Sequence, residues 1–162
     1  MRLVLLAAVL LFARNLTAQN LSAPAGAREP AGVQGLAAFA GSWIMADDGS
    51  GQALSDTCAW LEGGQRHMIC RTTIAGGGRT SQNETIYSYR GRDSTYIVNS
   101  FIGGGPLLTY LGKFDGERWV FDYQGQPGST QRLRMLVRAE GDEIHFVEES
   151  SESGVPWQVT EN

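Results

Sequence analysis

Two cysteines, Cys58 and Cys70, and two histidines, His67 and His145, are the side chains in this sequence best suited to chemistry. The histidines have no His-x-x-x-His or Cys-x-x-Cys companion, so their spacing offers no metal or haem site. No Gly-x-Ser-x-Gly elbow is present, and scattered serines define no Ser/His/Asp arrangement. Glycine runs at 76–78 and 103–105 lead into neither Gly-Lys-Ser/Thr nor a helix, which makes them turns rather than phosphate loops. Glu148, Glu149 and Glu152 lack the spacing of a calcium loop and read as a solvated strand end. No catalytic residue, metal ligand or cofactor is expected.

The cysteines suit a bridge better than a reaction. Between them lies Glu62-Gly63-Gly64-Gln65, a turn with two residues free to take positive φ. If Gly64 centres that turn, residues 58 and 70 face one another across a hairpin. An isolated pair in an oxidising compartment is more often a disulfide than a metal or redox site. Their Cα atoms are then expected within about 6–7 Å. Two residues further along the same face, Trp60 and Met68 would be oriented by the bridge.

The strands that must hold these residues announce themselves by period. Residues 118–123 alternate as Arg118, Trp119, Val120, Phe121, Asp122 and Tyr123; residues 131–138 set Leu133, Met135 and Val137 against Arg132, Arg134 and Arg138. Such alternation marks half-buried strands, because successive side chains point to opposite faces. Leu136 breaks it on the arginine side. Turn signals recur about every ten residues, the mark of an all-β meander. The expected strands are 41–46, 56–62, 67–75, 83–90, 94–102, 107–114, 118–124, 129–140, 143–150 and 156–161. Residues 33–40 carry Val33, Leu36, Ala37 and Phe39 at near-helical spacing over barely two turns, predicting a short helix or 3₁₀ turn.

The N-terminus reads as a leader. Arg2 supplies a positive start and residues 3–13 an apolar run of signal-peptide length, too short to span a bilayer. Cleavage is expected after Ala18, with Ala23-Pro24-Ala25 as a later option, followed by a flexible lead-in over 19–32 and a barrel over 33–162. The predicted location is secreted or periplasmic, with no membrane anchor. Losing Arg2 and Arg14 leaves 11 basic against 17 acidic residues, a net charge of −6. That balance argues against nucleic acid or an anionic membrane as partner.

With these elements the chain resembles the secreted bacterial lipocalin-like families of the calycin group. The matching elements are Leu36-x-x-Phe39-x-Gly41-x-Trp43, Thr57-Cys58-Ala59-Trp60 answered by Met68-Ile69-Cys70, and Ile86-Tyr87-Ser88-Tyr89. The Gly112–Trp119 hairpin and Glu149-Ser150 through Gly154 to Trp157 complete the set, which covers about residues 33–158. The resemblance implies an antiparallel meander barrel of 8–10 strands, with a strand count nearer that of fatty-acid-binding proteins. Gly41 and Trp43 would close one end. Lipocalins usually lay a late-strand arginine over that tryptophan, but Arg132, Arg134 and Arg138 lie opposite the apolar face and would not reach Trp43 from inside.

Trp60, Tyr87, Tyr89, Trp119, Phe121 and Tyr123 fall on single faces of their strands and, with Met68, are the candidate lining for a small hydrophobic or aromatic molecule. The same aromatics would equally serve as core. Two other classes stand beside a binding barrel: a protein-interaction module such as an envelope-protease inhibitor, with the lead-in as its arm, and a barrel isomerase or hydrolase. A wide apolar interior favours ligand binding; a filled core with an ordered arm favours the inhibitor.

Overall fold

The structure, a computed structural model, describes residues 16–18, 32–45, 51–61, 66–103, 105–125, 130–152 and 155–161. Its strands are β1 (Leu16–Ala18), β2 (Gly41–Met45), β3 (Ala53–Trp60), β4 (His67–Gly76), β5 (Arg79–Arg90), β6 (Thr95–Ile102), β7 (Leu107–Phe114), β8 (Trp119–Tyr123), β9 (Arg132–Glu140), β10 (Glu143–Ser151) and β11 (Gln158–Glu161). A 3₁₀ helix, Gly32–Phe39, precedes β2. Residues 1–15 of the expected leader, 19–31 of the lead-in, and the turns at 47–50, 62–65 and 126–128 lie outside the described residues.

The fold is all-β. Each strand pairs antiparallel with its neighbour in sequence, and the sheet curls into a half-barrel. The expected strands correspond to β2–β11. β1 is additional: it falls inside the expected leader, yet pairs with β2 (Ala18 opposite Trp43) and with β10 (Leu16 opposite Ile144). The outer edge of β10 is therefore shared, with β1 along Glu143–Ile144 and β11 along Glu148–Ser150.

Alternation decides the inner face. Cross-strand partners run Trp60–Met68–Tyr87–Val98–Tyr110–Tyr123 around one row, and Gly112–Phe121–Met135–Glu148 continue the next. Because paired residues share a face, a single buried member fixes its whole row. Met68 and Phe121 retain no exposed surface, so these rows face inward.

The 3₁₀ helix seals one end. Leu36 and Phe39 are buried, with the Phe39 ring stacked on Tyr87 at 5.0 Å and tilted against Trp119 at 5.1 Å. Tyr96 donates its hydroxyl hydrogen to the Gly32 carbonyl at 2.9 Å, pinning the start of the helix. Trp43 Nε1 donates to the Phe39 carbonyl at 2.8 Å, fixing the helix against the strand it introduces. Between them Gly41 sits at φ +131°, where a side chain would be strained. Gly41 and Trp43 thus join the sealing helix to β2.

Candidate functional site

The Cys58–Cys70 disulfide is formed, with Cα atoms 4.0 Å apart and the two residues directly opposite across β3 and β4. The register also sets Trp60 opposite Met68, and the turn expected at Gly64 lies outside the described residues. A bridge of this kind marks an oxidising, extracellular environment. Asp56, Cys58 and Cys70 are close enough to share a metal ion, but both sulfurs are committed to the bridge. No described helix is long and apolar enough to cross a membrane.

The seven candidate lining residues divide by depth. Met68, Tyr87, Trp119 and Phe121 are buried at the sealed end beneath the helix. Tyr87 packs edge-on to Phe121, and Trp119 edge-on to Phe114 and Tyr96. Together they form a filled aromatic floor. Trp60, Tyr89 and Tyr123 are half-buried around it: Tyr89 packs on Tyr96 at 5.0 Å, and Tyr123 on Tyr110 at 5.4 Å.

Away from the helix the inner face changes character. Leu54, Asp56, Thr72, Asn83, Thr85, Ile102, Met135 and Glu148 face inward by register, yet all keep part of their surface in solvent. This end is a cup whose wall mixes these polar side chains with Leu54, Ile102 and Met135. The Thr72 hydroxyl donates to Asp56 Oδ1 at 3.1 Å, and the Thr85 and Ser100 hydroxyls pair at 3.1 Å. Burial holds the Asp56 carboxyl above its ordinary pKa, opposed by bonds from Thr72 and the Thr57 backbone. Tyr87 and Tyr110 are pushed up further, first by burial and then by the nearby charges of Asp56 and Glu148 respectively. Both phenols stay neutral at physiological pH. Among the described residues, Asn83 Oδ1 and Trp119 Nε1 are buried without a hydrogen-bond partner.

None of these polar wall residues stands out in the sequence as a site. The signal that marks two of them is parity. Asp56 and Thr72 lie two residues from Cys58 and Cys70, on the side of the bridge opposite Trp60 and Met68, so they must share its face.

The remaining chemistry-bearing groups lie outside. His67 Nδ1 meets Ser88 Oγ at 2.8 Å, and His145 Nε2 lies 3.2 Å from Glu143. Glu148 and Glu149 point to opposite faces, so the acidic run is no cluster: Glu148 faces the cup and Glu149 pairs with Arg134. Arg132 and Arg134 lie over the Trp157 ring, at 4.7 and 4.2 Å from its centroid. Two of the three late-strand arginines thus cover an outer tryptophan, and the third, Arg138, pairs with Glu117 and Glu140. A shallow cleft of about 310 Å³ lies nearby, between Gln131, Ser150 and Pro156.

Comparison of the chain with models of known protein families and with curated proteins finds no match.

Proposed function

We propose that this chain is an exported, lipocalin-like binding barrel that takes a small molecule with an apolar or aromatic body into the end of the half-barrel away from the 3₁₀ helix. The carrying observation is the contrast between the two ends: the aromatic floor is filled and sealed by Phe39, while the inner face beyond it stays partly open to solvent. A protein needing only a core would gain by closing that end with apolar side chains. Here it carries hydrogen-bonding groups around an aromatic base, the composition of a ligand site.

Export rests on the basic start and apolar run of residues 1–18, and the formed disulfide supports it. Cleavage after Ala18 would also remove β1 from the seam.

Native mass spectrometry of the protein purified from its own host tests the binding function. A co-purifying small molecule is the expected result. An empty barrel in every preparation, with no quenching of tryptophan fluorescence by any apolar aromatic probe, would overturn it.

A further inference from the structure

We infer that, once the leader is cut after Ala18, the new N-terminus takes the place of β1, with Leu21-Ser22-Ala23 entering the registers of Leu16-Thr17-Ala18 between β2 and β10. This rests on the export and cleavage proposed above and names what fills the seam they open.

The cut leaves two bare edges. Among the described strands β1 is the partner of β2 on the side away from β3, with Leu16, Thr17 and Ala18 opposite Met45, Ile44 and Trp43. It also covers the Glu143–Ile144 stretch of β10. Trp43, Met45 and Ile144 are buried members of the core. Backbone N–H and C=O groups left unpaired beside such side chains are costly, and they form a template for another strand.

The sequence holds a second copy of the strand that is lost. Asn15-Leu16-Thr17-Ala18 is followed by Gln19 and then by Asn20-Leu21-Ser22-Ala23, which differs only in serine for threonine. This copy lies on the mature side of the cut. The registers opposite Met45 and Trp43 belong to the inner face and the one opposite Ile44 to the outer, so leucine, a small hydroxyl residue and alanine suit them in that order. Pro24 comes next. It biases Ala23 toward extended backbone and has no N–H with which to carry the strand on.

Length permits the exchange at both ends. Trp43 is bonded to the Phe39 carbonyl, and the helix from Phe39 back to Gly32 is about 16 Å long at about 2 Å per residue. The nine residues from Ala23 to Gly32 span up to about 30 Å, enough to return across the sealed end. Ahead of Leu21, Gln19 and Asn20 remain. In the same register they fall opposite Phe146 and His145, within the stretch of β10 between its pairings with β1 and β11. The new N-terminus thus stops short of Glu161, which lies opposite Glu148.

Intact mass and hydrogen exchange of the protein exported to a bacterial periplasm test this. The mature chain is expected to begin at Gln19, and its Trp43–Met45 amides to exchange at least about tenfold more slowly than in a chain beginning at Pro24. Ser22→Cys/Ile44→Cys should form a second disulfide within one chain, whereas Ser22→Cys/Ser42→Cys, two residues out of register, should not. The cysteine pairs serve if the shortened chain does not fold. Equal exchange in the two chains, or no bridge from Ser22→Cys/Ile44→Cys, overturns the strand exchange and leaves export standing. A bridge between two copies overturns it as well, by showing the strand traded in trans. A mature chain that keeps Leu16–Ala18, or that begins beyond Ala23, overturns the cleavage reading and this inference with it.

Discussion

The indole nitrogen of Trp43 donates to the carbonyl oxygen of Phe39, four residues earlier, so that the strand beginning the meander is tied to the helix sealing it. Both residues are buried, and the Phe39 ring reaches across the interior to Tyr87 and Trp119. Trp43→Phe keeps most of the apolar contact but leaves that carbonyl without its donor. It should cost about 1–2 kcal/mol in urea unfolding. Phe39→Ala removes the centre of the floor and should cost about 3–5 kcal/mol.

The Cys58–Cys70 bridge closes a short loop, separated by 12 residues in sequence. The chain-entropy model gives about 3 kcal/mol for a loop of this size. Because the hairpin is already local, about 1–2 kcal/mol is the expected loss in Cys58→Ala/Cys70→Ala. Guanidinium unfolding with and without reductant measures it; an unchanged midpoint would show that the paired strands need no staple.

Asp56 predicts a pH dependence of defined sign. Its folded pKa lies above the ordinary 3.8 through burial, so the native state takes up this proton before the unfolded chain does. Ionised Asp56 therefore destabilises the fold at neutral pH. The penalty lifts as pH falls through the raised value and is gone below the ordinary one. Asp56→Asn should be the more stable protein at pH 7, and the two melting temperatures should converge toward pH 4. Parallel curves would exclude a buried, ionised Asp56.

Gly112 faces inward beside Phe121. A Cβ there would overlap the Phe121 ring and lie 2.8 Å from the Val120 carbonyl oxygen, a clash with backbone that no rotamer relieves. Gly112→Ala should destabilise by at least about 1–3 kcal/mol, seen as a lowered melting temperature. A neutral result would mean that β7 and β8 separate more readily than their pairing suggests.

Strand positions and the disulfide register were legible because both follow from local period: two for side chains and a symmetric turn for the bridge. The sealed end was legible in Phe39-x-Gly41-x-Trp43, where a glycine at positive φ lets helix and strand meet closely. β1 was not, since three residues at the end of the expected leader carry no period of their own. Nor were the cup residues, because Asp56 and Thr72 interrupt the apolar alternation at inner positions and imitate a rim. The contact of Arg132 and Arg134 with Trp157 joins a strand to a distant loop through long side chains, and no local pattern encodes it.

The shared edge of β10 carries a consequence for how the chain can be cut and rejoined. β11 and β1 run in the same direction along that edge: Glu161 lies opposite Glu148, and Leu16 opposite Ile144, just ahead. The two pieces are segments of one interrupted strand supplied by opposite ends of the polypeptide. A circular permutant that links Glu161 to Leu16 through about three residues, and opens at the exposed Gly77–Gly78 turn, would make that strand continuous while keeping every ladder. Where residues 16–18 are retained, closing the seam in the natural order pairs residues far apart in sequence and costs loop-closure entropy. In the permutant the same pairing becomes a local one.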